Sequence, residues 1–259
     1  MSCPPTRRTV TALVAALSMM PTSIAARAES ALIAVAANFA EAAAAMVPVF
    51  SAATGRAVLL TTGSTGKLYA QITEGAPFDI LLSADAATPA RLIEEGKAVN
   101  GSSFTYAIGQ LALWSADPTR IGNDGRMALL DPRLRFVAIA NPDLAPYGFA
   151  AREALQALGL WEALHAKIVM GQNIGQTHSM VATGAAEIGF VALSAVLRPG
   201  GRNEGSRWDV PQEMFQPIRQ DAVVLNRAAD NAAAHAFMEF LRTPQAFEVI
   251  TAFGYAAEK

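Results

Sequence analysis

Short apolar runs alternate with helix-like stretches along this chain, and that alternation restricts its fold more than any other feature. ALIAVAA (31–37) precedes FAEAAAAMVPVFSAATG (39–55), AVLLTT (57–62) precedes GKLYAQITEG (66–75), and FDILLSA (78–84) precedes TPARLIEEG (88–96). Repeated strand–helix pairs predict an α/β fold with mostly parallel sheets. Gly55, Gly75 and Gly96 follow the helical stretches, where a left-handed residue ends a helix. The pattern pauses at FTYAIGQLALWS (104–115), a long strand-like run with no helix behind it. It resumes with RFVAIA (135–140), a helix at AAREALQALG (150–159), KIVM (167–170), a helix near QTHSMVATG (176–184) and the strand IGFVAL (188–193). A second long run, PIRQDAVVLN (217–226), leads into a closing helix over 232–254. Two such runs bracketing the middle predict two domains: the chain crosses over, builds the second domain and crosses back.

The first 28 residues stand outside that pattern. MSCPPTRR is a basic head, TVTALVAALSMM an apolar run too short to span a bilayer, and Ala26-Arg27-Ala28 places small residues at the positions a signal peptidase inspects. The segment reads as a secretory signal peptide cleaved after Ala28, with an uncleaved anchor as the alternative. The residues after Arg7-Arg8 fit a twin-arginine signal poorly, so general export is expected. Cys3 leaves with the signal, so the mature chain has no thiol nucleophile, disulfide or thiolate metal site. Its stability rests on a packed core, for which a 52% hydrophobic composition is ample. Cleavage also removes Arg7, Arg8 and Arg27, leaving 17 basic against 22 acidic residues. A mildly acidic chain without a basic stripe lacks the footprint of a nucleic-acid binder, and any anion it holds must be held by local donors.

Catalytic readings find little support. TTGSTGKLYAQI (61–72) approaches a nucleotide phosphate loop, but Thr61 stands where the first glycine belongs and Leu68 follows Lys67 where a magnesium-binding hydroxyl is needed. His165, His178 and His235 have no metal-ligand spacing and read as surface or helix-end residues. No G-x-S-x-G elbow is present, and no acidic pair marks a glycosidase.

What recurs is a small or polar turn between a strand and a helix: Ala36-Ala37-Asn38-Phe39, Gly63-Ser64-Thr65-Gly66, Ala145-Pro146-Tyr147-Gly148 and Gln172-Asn173-Ile174-Gly175. The first amides of a helix have no carbonyl partner and carry the positive end of its dipole, so helix starts bind anions. Every α/β protein has such turns, and ordinary connections are the competing reading. None of the four carries an acidic apex, and Asn38, Ser64, Thr65 and Tyr147 are side-chain donors. Two turns from each domain, facing across a cleft, would form a cage of neutral donors. Lys67 is expected to point along its helix into solvent.

The stretches VAANF, GSTGKLYAQI, GAPFDILLSAD, GSSFTYAIGQLALWS, APYGFAAREAL, NIGQTHS, GAAEIGFVALS and TPQAFEVI, in this order from about Leu32 to Tyr255, resemble the periplasmic molybdate-binding proteins of ABC importers. The resemblance implies an α/β, two-domain type II periplasmic binding protein fold with mixed sheets and two crossover hinge strands. Its divisions would be 29–108 and 217–259 for the first domain and 109–216 for the second, after the signal peptide 1–28. It implies oxyanion contacts at Asn38, Ser64, Thr65, Tyr147 and Ile174. Asn38 and Thr65 would give both amide and side-chain donors, and Tyr147 and Ile174 backbone N–H alone. Many members carry an anion-binding tyrosine where this chain has Ala192; the turn residue Tyr147 is the candidate to replace that hydroxyl. Some relatives place a hydroxyl residue where this chain has Ala37.

The implied function is capture of molybdate, with tungstate, in the periplasm by a monomer that catalyses nothing. Molybdenum would enter only as the oxyanion, with no direct protein ligand and no cofactor. Delivery would be to a membrane permease and its ATPase. Sulfate or another oxyanion on the same fold is the alternative, and an exported hydrolase a more distant one.

Overall fold

The computed structural model describes Met1 and residues 30–197 and 204–256. The expected signal peptide, Cys3 and the cleavage site after Ala28 lie outside the described residues, apart from Met1. The chain runs β1 (Ser30–Ala36), a 3-10 turn (Ala37–Phe39), α1 (Ala40–Thr54), β2 (Ala57–Gly63), α2 (Thr65–Thr73), β3 (Ile80–Leu82) and α3 (Ala87–Glu94). Next come β4 (Phe104–Gly109), β5 (Leu111–Ser115), α4 (Gly125–Leu129), β6 (Val137–Ala140), α5 (Pro146–Ala157), α6 (Trp161–Leu164), β7 (Ile168–Gly171) and α7 (Ile174–Ala182). The remainder is β8 (Ile188–Ala192), α8 (Leu193–Val196), β9 (Ser206–Asp209), β10 (Ile218–Val224), α9 (Ala232–Phe240) and α10 (Pro244–Ala252).

The strands form two five-stranded sheets, ordered β2-β1-β3-β10-β4 and β7-β6-β8-β5-β9. Each sheet, with the helices on its faces, makes one lobe. Both are mixed: β1 pairs parallel with β2 and β3, and β6 with β7 and β8, whereas β10 and β5 run antiparallel to their neighbours. The mostly parallel expectation is corrected for a topological reason. β10, returning from lobe II, inserts between β3 and β4 against their direction.

Side chains alternate across each sheet, and both faces are covered. In lobe I, Ile33, Val35, Ile80, Leu82, Ala222 and Val224 pack with Phe39, Phe50 and Phe237, while Ala34, Leu81 and Val223 face Leu68, Phe78 and Leu92. In lobe II, Leu111, Leu113, Val137, Ile139, Ile188 and Phe190 share one core, and Ala112, Trp114, Ala138 and Val191 another. This is why the strands read as unbroken apolar runs.

Two expected elements are divided. The run 104–115 is two strands, parted at Gln110, that belong to different sheets and join the lobes. The closing helix is two helices: Thr243 caps the second through its hydroxyl and Pro244 occupies the first turn, where its missing N–H breaks no bond. Gly55, Gly75 and Gly96 do take positive φ at the helix ends.

Candidate functional site

β1 and β2 of lobe I and β6 and β7 of lobe II end at the same cleft, and the turns that follow them start helices there. The carboxyl ends of strands are where open α/β sheets gather ligands. Thr65 and Ile174 are the first residues of α2 and α7, Tyr147 is the second of α5 behind Pro146, and Asn38 lies in the 3-10 turn before α1. The five residues Asn38, Ser64, Thr65, Tyr147 and Ile174 come together around one small cavity, along with Ala36, Ala37, Ala84, Ala145, Pro146 and Asn173. The cavity measures about 10 Å3 as the volume open to the centre of a water-sized sphere. That is room for one compact species and excludes an organic ligand of any length.

The lining carries no carboxylate, lysine, arginine or histidine. Ser64, 3% exposed, is the N-cap of α2, yet its hydroxyl caps nothing. Among the described residues it is the buried side-chain polar atom with no hydrogen-bond partner. An orphaned buried hydroxyl costs about 1–3 kcal/mol, and at a cavity wall it is a donor available to an acceptor inside. Thr65 Oγ1 accepts the amide of Ala84 at 3.1 Å, which leaves its own proton to donate. Lys67 is exposed and does not line the cavity.

One expected side-chain role changes. The amide of Asn38 donates to Gln220 Oε1 at 2.8 Å and to Tyr255 Oη at 3.1 Å, so both its hydrogens are taken and only its backbone N–H remains for the cavity. Tyr147, 1% exposed, has its hydroxyl 3.3 Å from Gln220 Nε2, which donates to it. Accepting that bond leaves the Tyr147 hydroxyl its own proton to donate, and the residue also lines the cavity. Ala192 is wholly buried in the lobe II core. Burial holds the Tyr106, Tyr147 and Tyr255 hydroxyls above the ordinary tyrosine range, so all three stay protonated and neutral.

Direct contacts hold the cleft shut over the cavity. Gly66 N–H donates to Leu144 O of the opposite lobe at 3.0 Å, and a Cβ at Gly66 would lie 3.1 Å from that oxygen. Ser194 of lobe II donates to Asn38 O at 3.1 Å. The glycine of the GSTGK turn thus serves closure, with its amide turned across the cleft. The histidines fall elsewhere: His165 and His235 are exposed, His178 stacks on Trp114 with ring centroids 4.9 Å apart, and no metal-binding cluster exists among the described residues.

Sequence reasoning missed Gln220, Tyr255 and Ser194. The alternation of IRQDAVV did carry a signal for Gln220, since it falls on the same buried face as Ile218, Ala222 and Val224.

Comparison with known proteins agrees with this architecture. The family model for bacterial extracellular solute-binding proteins matches residues 31–256. The chain is 48% identical over 240 residues to the molybdate-binding protein ModA of Rhodobacter capsulatus, covering 93% of both chains. It is 46% identical over 246 residues to that of Azotobacter vinelandii, covering 95% of this chain and 97% of the relative. The solved structure of the Azotobacter vinelandii periplasmic molybdate-binding protein superposes with a TM-score of 0.86 at 40% identity, over 88% of this chain and all of that one. Matched along nearly its whole length, this chain belongs to the bacterial extracellular solute-binding proteins: it holds a solute and is not an enzyme.

Proposed function

We propose that this protein captures molybdate, and tungstate with it, in the cavity between its lobes and delivers it to an ABC importer. The observation that carries the reading is the unpartnered Ser64 hydroxyl, buried in the wall of a charge-free cavity ringed by helix starts. The donor set is Ser64 Oγ, Thr65 Oγ1 and the backbone amides of Asn38, Thr65, Tyr147 and Ile174. A tetrahedral dianion loses its water on entry, a large penalty that converging charge-assisted hydrogen bonds and helix dipoles offset. No counter-charge is needed, because the helix starts supply the positive potential.

Selectivity follows from the same donors. A monoprotonated phosphate would turn one hydroxyl from donor to acceptor and lose a contact to its charge. Sulfate is smaller than molybdate and cannot span donors from both lobes at once. Tungstate matches molybdate in size and charge, so the site accepts both.

In this reading residues 29–108 with 217–259, and residues 109–216, are the two domains that close on the anion, hinged at the crossovers through 104–115 and 217–226. The ligand favours the closed form through contacts made only there. The protein works as a periplasmic monomer, exported by the 1–28 signal and cleaved after Ala28, and its partners are a permease and its ATPase. Calorimetric titration of the mature protein tests the proposal: tight binding of molybdate and tungstate with sulfate far weaker is expected. Micromolar or tighter sulfate binding with no response to molybdate would overturn it.

A further inference from the structure

Gln220 is wholly buried on β10, the strand that carries the chain back from lobe II. The register with β4 slips between Gln220 and Asp221 because β4 carries an extra residue there, Tyr106, while Gln220 keeps the buried face it shares with Ile218 and Ala222. Its side chain reaches both walls of the cavity. Oε1 accepts from Asn38 Nδ2 at 2.8 Å and lies 3.1 Å from Tyr106 Oη; Nε2 donates to Tyr147 Oη at 3.3 Å. Asn38 belongs to lobe I and Tyr147 to lobe II, and both line the cavity.

The surroundings are shaped for this crossing. A Cβ on Gly109, where β4 ends, would lie 2.3 Å from Tyr147 Oη and 2.7 Å from Gln220 Nε2, so glycine there leaves the space through which the two side chains meet. On the far side, Tyr255 Oη donates to Asn38 O at 2.7 Å and lies 3.1 Å from Ser194 Oγ of lobe II. The Asn38 peptide is therefore gripped by its carbonyl and its side chain alike, which fixes the direction of its turn. None of these groups carries a charge, and each is buried, so a missing partner leaves a buried polar atom unsatisfied.

We infer that Gln220 is a positioning residue that couples closure of the cleft to the aim of the anion's donors, acting through Asn38 on one wall and Tyr147 on the other. This rests on the anion-binding reading above and deepens it. The Gln220–Tyr147 hydrogen bond spans the lobes and is made in the closed form; opening separates it. It therefore slows release of the anion and leaves the rate of capture by the open form unchanged.

The test is a double-mutant cycle of Gln220→Leu and Tyr147→Phe in the mature protein, with molybdate, tungstate and sulfate association and dissociation followed by stopped-flow fluorescence, and melting of the anion-free forms measured in parallel. Tyr147→Phe keeps the backbone amide and removes only the hydroxyl. Dissociation is expected to quicken about tenfold in Gln220→Leu and severalfold in Tyr147→Phe, with association within about twofold of wild type. The double variant is expected to release the anion no faster than Gln220→Leu alone, because both changes break the same contact. A merely structural role would lower the melting temperature and leave the rates additive or unchanged, and that result overturns the inference. Should Gln220→Leu fail to fold, an unaltered dissociation rate in Tyr147→Phe overturns it just as well. A wild-type protein that binds none of the three anions removes the functional reading and the inference together, whereas binding with unaltered release in the variants removes the inference alone.

Discussion

The lobe I wall of the cavity presents side-chain hydroxyls, from Ser64 and Thr65, beside its helix amides. The lobe II wall relies chiefly on the amides of its helix starts. There Ile174 has an apolar side chain, Asn173 Oδ1 caps its own helix by accepting from Gln176 N–H at 2.9 Å, and the Tyr147 hydroxyl is engaged by Gln220. Both walls use the same device, the start of a helix after a strand, but sequence changes reach them differently. A hydroxyl can be deleted by one substitution, while a backbone donor survives almost any change of side chain. The proposed recognition is therefore written in side chains on one wall and chiefly in backbone on the other.

The comparison is broken most severely by Ser64→Ala with Thr65→Val. In the proposed mode each hydroxyl would donate to a charged ligand, a contact worth about 1.5–3 kcal/mol, so the pair is expected to weaken molybdate binding by more than about a hundredfold in calorimetry. Thr65→Val also strips the Ala84 amide of its acceptor, which adds a modest loss of thermal stability. On the other wall, Ile174→Val is expected to leave affinity within about twofold, and Ile174→Pro to reduce it by about tenfold or more. Proline at the first position of a helix removes a donor without breaking the helix, and Asn173 before it is already extended. Equal affinities for the valine and proline variants would show that the Ile174 amide does not touch the anion.

The smallest effect concerns pH. The cavity lining carries no ionisable group besides Tyr147, whose burial raises its pKa. Affinity for molybdate is expected to stay flat between roughly pH 6 and 9, below the ordinary tyrosine range. The linkage for stability has the opposite sense at high pH. The native tyrosines keep protons that the unfolded chain gives up, so the unfolded form binds fewer protons and stability falls as pH rises past about 10. A fall in affinity centred near neutral pH would reveal a titrating group at the site that the structure does not place there.

Much of this was legible in the sequence because it is local. The four strand-to-helix turns, the glycine helix ends and the apolar strands each declare themselves within about ten residues, and the five candidate ligand residues do meet at one cavity. What stayed hidden is set by distance and topology. The apolar pattern of 104–115 is the same whether it forms one strand or two, since each half is buried in its own sheet. The side chain of Asn38 looked free to bind an anion because its partner Gln220 is 182 residues away. Tyr147 likewise has a distant partner, its hydroxyl accepting from Gln220 at a separation of 73 residues. The break at Thr243-Pro244 was readable from residue type alone, as a capping hydroxyl followed by a proline.

The central claim is that an oxyanion sits between the two walls and is held without any charged side chain. A crystal structure of the mature protein with molybdate, with anomalous data collected at the molybdenum edge, tests it most directly. The account predicts one strong anomalous peak enclosed by Ser64, Thr65, Tyr147 and Ile174, with the Ser64 hydroxyl within hydrogen-bond reach of the anion and Lys67 still in solvent. A peak beside Lys67, with the cavity at Ser64 left without one, would contradict it.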